Sequence, residues 1–104
     1  MNTEPSLTIE QAKDALKSAI APRVTEESIK AKISQVHYLQ QGTTTICTIL
    51  MQNGFKFIGH STPASPDNYN SLVGQRYAYE NAFKQIWSHE GYLLRERLHE
   101  QEKL

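Results

Sequence analysis

The stretch Thr43–Ser61, TTTICTILMQNGFKFIGHS, decides the fold. Thr43–Met51 is rich in β-branched side chains, which suit a strand. Asn53-Gly54 follows. This pair is the strongest short-range hairpin signal, because a two-residue type I′ turn needs positive φ at both central positions. Phe55–Ser61 is then the returning strand. A two-residue turn predicts a register in which Leu50 faces Phe57 and Ile49 faces Ile58. Upstream, Gly42 allows a turn and Val36–Gln40 reads as a third strand. The expected sheet is a three-stranded antiparallel meander, and its threonines predict one face only partly buried.

Helical patterns flank this sheet. Thr8 is placed to cap a helix, with Gln11 three residues on completing a capping box. Ile9, Ala12, Leu16, Ala19 and Ile20 recur at helical spacing up to the stop at Pro22. Thr25 starts a second, short helix. Glu26 and Glu27 favour the positive end of its dipole, and Val24 can staple against Ile29. Ile29, Ile33 and Val36 form one stripe. Beyond a proline-bounded loop at Pro63–Pro66, Asp67 or Asn68 caps a long helix to about Ser88. Gly91 is expected to break or bend the chain before a last helix from Tyr92 toward Glu102. The fold class is α+β: a small antiparallel meander with N-terminal helices and two C-terminal helices. Residues 1–7 read as a disordered tail and residues 8–104 as a single domain.

Composition narrows the function classes. The 104 residues carry 11 basic and 11 acidic side chains, and 38% of them are apolar. That length fits one domain, and one small enough for oligomerisation to help it. No run of 18 apolar residues exists to span a membrane. The acidic, polar start MNTEPSLTIEQ is not a secretory signal, so a cytoplasmic protein is expected. A nucleic-acid polymer is not the expected partner, because its binders carry a basic excess. The single Cys47 allows no internal disulfide and no multi-cysteine zinc site. His37, His60, His89 and His99 are scattered, so no metal or cofactor is expected. Cys47 and His60 can face each other across the hairpin, but no third orienting residue accompanies them.

The long helix carries a recognition surface instead. Tyr69, Leu72, Val73, Tyr79, Ala82, Phe83, Ile86 and Trp87 fall within one half of its wheel. Arg76 and Glu80 lie inside that arc, four residues apart, where they can pair. Either the edge of the arc is open to solvent there, with the arginine stem lying over apolar surface, or the pair touches a subunit or ligand. Leu94 and Leu98 make a thin stripe on the final helix beside the Arg95-Glu96-Arg97 cluster. Aromatics that stack on bases and arginines that grip phosphate suit a small nucleotide. The same residue types suit a protein interface.

Several motifs then fall in one order: Asn53-Gly54-Phe55, Gly59-His60-Ser61, Val73-Gly74, Ala78-Tyr79-Glu80-Asn81-Ala82, Ile86-Trp87 and Glu90-Gly91-Tyr92-Leu93-Leu94. Over about Val24 to Leu98 the chain resembles a widespread family of small tailed-phage and prophage proteins. That family looks similar to the Thoeris anti-defence proteins that act as signal sponges. The resemblance implies a protein without catalysis that binds and sequesters a cyclic ADP-ribose isomer made by a TIR-domain enzyme. Some relatives also hold cyclic oligonucleotides in a separate pocket. It further implies homo-oligomers, a dimer or a dimer-based hexamer. Carried over by order along the chain, the ligand residues are Arg23, Tyr69, Asn81 and Arg95-Glu96-Arg97, to which the helix surface adds Arg76. Tyr69 stands where phenylalanine is expected and Glu96 where aspartate is expected. The helix Thr8–Ala21 looks like an addition to the family pattern. The second reading is an oligomeric phage accessory module that binds a host protein. A small nucleotide hydrolase is a third.

Overall fold

The computed structural model describes residues 4–103; the first three residues of the expected tail, and Leu104, lie outside the described residues. The elements are α1 (Ile9–Leu16), α2 (Glu26–Lys30), β1 (Ile33–Gln41), β2 (Thr44–Met51), β3 (Lys56–Ser61), a 3₁₀ turn at Pro66–Asn68 and α3 (Ser71–Glu102). The strands form one antiparallel meander in the order β1-β2-β3. The α+β class and the three-stranded sheet follow the sequence reading.

The hairpin turn corrects it by one residue. Within this turn only Gly54 has positive φ, at 92°, and no non-glycine residue among the described residues does. A type I′ turn would need Asn53 there too. The Gly54 N–H instead donates to the Met51 carbonyl and the Met51 N–H to the Phe55 carbonyl. This is a three-residue loop, a type I turn closed by a glycine bulge. Ile49 therefore pairs with Phe57 and Thr48 with Ile58. A one-residue slip exchanges faces. Phe57 is buried in the core, and Ile58 lies on the outer face.

β1 begins earlier than expected, at Ile33. A bulge between Ile33 and Gln35 adds one residue opposite β2. It puts Ile33 and Val36 on the same face, three residues apart. That spacing mimics a helix stripe, and the true α2 ends at Lys30. Both N-terminal capping boxes form: Thr8 with Gln11, and Thr25 with Ser28.

α3 is one continuous helix of 32 residues, about 48 Å long, rather than two helices. Asn70 caps it, its side chain accepting from the N–H groups of Leu72 and Val73. Gly91 lowers helix propensity but does not break the ladder, because nothing crowds it on any side. α3 lies across β2 and β3 on the inner face of the sheet. The core is Ile29, Cys47, Ile49, Met51, Phe57, Ala78, Ala82, Phe83 and Ile86. Val24 packs against it, as a staple should.

The closest approach is at Gly59. A Cβ there would collide with the backbone nitrogen of Ala82 and lie 2.5 Å from the Ala78 carbonyl oxygen. Seated this closely, α3 covers the free edge of β3. Asn81 Oδ1 accepts the His60 N–H at 3.1 Å, and Gln85 Nε2 donates to the Ile58 carbonyl at 2.8 Å. Both backbone groups lie on the side of β3 away from β2, so the helix satisfies a strand edge that would otherwise stand open.

α1 stops at Leu16 instead of running to Pro22, and it buries no residue. Without a tertiary partner, a helix this short has little to extend it. Tyr69, Leu72 and Val73, placed in the apolar arc, are exposed; the first turn of α3 meets β2 instead through Gly74, where a Cβ would press on the Thr45 side chain. The chain is open for its size. Its radius of gyration is 17.3 Å, against about 13 Å for a compact chain of this length. Its accessible surface is 8097 Å², against about 6,000 Å² for a compact monomer of this mass.

Three substitutions separate these roles, each read by urea unfolding. Gly59→Ala forces helix and sheet apart and should cost about 1–3 kcal/mol. Gly91→Ala, in open helix, should add about 0.5–1 kcal/mol. Asn81→Ala should cost about 1 kcal/mol by leaving the β3 edge unpaired. An Asn81 variant as stable as the parent would remove the edge-covering role.

Candidate functional site

The flank of α3 that faces α2 carries an aromatic ladder. Tyr79, Phe83 and Trp87 follow at four-residue spacing, so their rings rise along one side of the helix. The Tyr79 and Phe83 centroids are 5.5 Å apart, and those of Phe83 and Trp87 are 6.4 Å apart. Phe83, the middle rung, is buried, Tyr79 is half-buried and Trp87 is 40% exposed, so the ladder is closed at its centre and open at both ends. One turn before it, the Arg76 guanidinium lies 5.8 Å from the Tyr79 ring centre.

Opposite the ladder stand α2, the segment before it and two residues of α1, Lys13 and Leu16. They leave two adjoining clefts of about 420 and 340 Å³ that share Lys13, Glu26 and Trp87. Arg76 and Lys30 border the first, and Arg23 the second. Four cations (Lys13, Arg23, Lys30, Arg76) and three carboxylates (Glu26, Glu27, Glu80) thus surround the rings. Lys30 pairs with Glu26 at 3.1 Å, and Arg76 with Glu80. The Arg76–Glu80 pair is 70% and 50% exposed, at the edge of the arc with the guanidinium beside the Tyr79 ring. Lys13 and Arg23 have no ion-pair partner among the described residues.

The ionisation of these groups follows from their surroundings. Burial pushes the Tyr79 phenol above its ordinary range, against the opposing pull of Lys30 and Arg76. The phenol is therefore neutral at physiological pH, available to stack and hydrogen-bond. The hydrogen bond and charge of Glu26 hold Lys30 protonated to higher pH than usual. Cys47 and His60 do not meet. Cys47 pairs with Gly59 on the inner face, while His60 pairs with Ile46 on the outer face. Burial raises the Cys47 thiol, which disfavours a thiolate. Among the described residues, no group of three or more His, Cys, Asp or Glu side chains could hold a metal ion.

The seven residues singled out by sequence do not form one cluster. Arg23 and Arg76 border the two halves of the aromatic cleft. Tyr69 sits at the end of the 3₁₀ turn, its N–H donating to the Pro66 carbonyl. Asn81 Oδ1 is engaged with β3. Arg95 pairs with Glu102 at 2.8 Å, Glu96 is exposed, and Arg97 borders a different cleft. Because α3 does not break at Gly91, Arg76 and Arg95 are 19 positions apart on one rod, about 28 Å. Within one chain they cannot hold the same small ligand. Lys13 and Lys30 were not anticipated. Trp87 falls in the apolar arc of the helix wheel, and its 40% exposure follows from its place at the open end of the ladder.

Residues 24–98 match the Phage protein (N4 Gp49/phage Sf6 gene 66) family. No curated protein and no solved structure matches the chain. The matched segment runs from the residue before the Thr25 cap to the last leucine stripe of α3, and α1 lies outside it. It includes the sheet, the Gly59 contact and the aromatic ladder, so the chain belongs to this family of phage proteins.

Proposed function

We propose that this phage protein binds and sequesters a small cyclic nucleotide signal, a cyclic ADP-ribose isomer, without chemical turnover. The observation that carries the reading is the Tyr79-Phe83-Trp87 ladder bordered by Arg23 and Arg76. Base-on-ring stacking is worth about 1–3 kcal/mol per base. An arginine can grip two phosphate oxygens at once. The exposed Arg76–Glu80 pair is the weak kind that a phosphate can exchange. The motif order that resembles the Thoeris anti-defence sponges supports the same chemistry.

A homo-oligomer, a dimer or a dimer-based hexamer, completes this reading. Arg95, Glu96 and Arg97 reach the ligand only from a second protomer, since one straight α3 holds Arg95 about 28 Å from Arg76. The surplus of about 2,000 Å² over a compact monomer exceeds the roughly 800 Å² per partner of a standard interface. One observation favours the second reading, a module binding a host protein. The outer sheet face exposes Leu39 and Ile58, 57% each, beside Ile46 and Leu50.

Titration calorimetry against cyclic ADP-ribose isomers decides between them. Tight, saturable binding is expected, with the ligand recovered intact after heat denaturation. Arg76→Ala and Trp87→Ala should each weaken binding about tenfold or more. No heat with any isomer, or recovery of a cleaved product, refutes sequestration.

A further inference from the structure

A second cleft lies on the other side of the molecule and shares no residue with the first. It has a volume of about 470 Å³ and opens between the β2–β3 turn and the half of α3 that follows Ile86. Two of the motif stretches that the aromatic ladder leaves unused, Asn53-Gly54-Phe55 and Glu90-Gly91-Tyr92-Leu93-Leu94, converge on it. It exists because α3 runs straight through Gly91. A break there would carry Leu93 and Arg97, its far wall, away from the hairpin.

The cleft is built rather than a chance gap. Met51 and Phe57, both buried, form its floor. Phe57 meets Phe55 edge-on at 5.1 Å and His89 at 5.0 Å, so three rings lock one another. His89 Nδ1 lies 2.9 Å from the Gln85 carbonyl, which can only accept, so the proton sits on Nδ1 and fixes the ring. The turn is anchored as well. The Gln52 N–H donates to the Lys32 carbonyl and its side-chain amide to the Ala31 carbonyl. Phe55 stays 55% exposed at the mouth.

The charges at the rim are unequal. Lys32 is spent on Glu90 at 2.6 Å, and that carboxylate is 17% exposed. Arg97 has no ion-pair partner among the described residues. One guanidinium therefore remains beside an apolar, ring-lined cavity of ligand size. We infer that this cleft binds a compact ligand with a planar apolar body and a single anionic group, the body against Phe55 and Leu93 and the anion on Arg97. A polyanion is disfavoured by Glu90, and a neutral ligand leaves Arg97 without its partner. The cleft shares no lining residue with the aromatic cleft; only Arg97 also figures in the cyclic-nucleotide reading, there as a contact from a second chain, so probe binding that depends on Arg97 but not on Arg76 or Trp87 separates the two.

The test uses 8-anilinonaphthalene-1-sulfonate, an aryl monoanion whose fluorescence rises in apolar surroundings, on the full chain. One saturable site per chain is expected, with amide shifts at Asn53, Phe55, Leu93 and Arg97. Arg97→Gln should weaken it about tenfold, the scale of one charge-assisted hydrogen bond. N-phenyl-1-naphthylamine, the same body without the sulfonate, should bind the parent about tenfold more weakly for the same reason. Arg76→Ala and Trp87→Ala should leave the affinity unchanged. Arg97 is exposed on a helix, so an unchanged circular dichroism spectrum verifies that its variant folds. Equal affinity of the Arg97→Gln protein, equal binding of the uncharged probe, or shifts centred on Trp87 or on the outer sheet face would each overturn the assignment.

Discussion

Everything distinctive in this fold depends on how closely α3 can approach β3 at Gly59. Two fully buried alanines, Ala78 and Ala82, meet a residue with no side chain at all, so backbone touches backbone. That contact fixes the rotation of α3 about its axis. Once Ala78, Ala82 and Ile86 face the sheet, Asn81 and Gln85 must lie along the β3 edge. Tyr79, Phe83 and Trp87 must lie on the flank toward α2. The edge-covering amides and the aromatic ladder are thus two results of one packing decision. A larger residue at position 59 would disturb both, even though neither touches it.

Much of the architecture was legible because local chemistry and the final fold agree. Thr8, Thr25 and the β-branched run Thr44–Met51 each do what their residue types favour. The errors have physical causes. Asn53-Gly54 signals a hairpin, but two turn types use that pair. Which one forms depends on whether Phe57 or Ile58 gains more by burial, and that is decided by α3, distant in sequence. The bulge in β1 spaced Ile33 and Val36 as a helix would. Gly91 was read as a break because glycine weakens helices, yet a cost of about 1 kcal/mol is small beside an uninterrupted ladder.

The candidate site was less legible, for a reason of geometry. Its parts lie on elements whose mutual placement the sequence does not encode locally. Arg23 precedes a five-residue helix, Lys13 sits on a helix that buries nothing, and Trp87 is amphipathic enough to be core or surface. Helical periodicity does predict which residues of α3 share a flank. It does not say which flank the sheet takes, because Tyr79 and Phe83 are as apolar as Ala78 and Ala82. The uninterrupted α3 also separates Arg76 from Arg95, which no wheel diagram of two separate helices could show.

The zero net charge conceals an uneven distribution. Six of the 11 basic side chains are paired: Lys17, Lys30, Lys32, Arg76, Arg95 and Lys103. Five are not, among the described residues: Lys13, Arg23, Lys56, Lys84 and Arg97. Three of these border the two clefts, Lys13 and Arg23 beside Trp87 and Arg97 beside Phe55. Exposed ion pairs stabilise by less than about 1 kcal/mol, so pairing does little for the fold. Its effect is on where the positive potential remains. Pairing neutralises most of the surface and leaves uncompensated guanidinium groups next to exposed rings. A chain with no basic excess can therefore still present a local charge to a small anion, while a long polyanion, which needs many such contacts in a row, finds none.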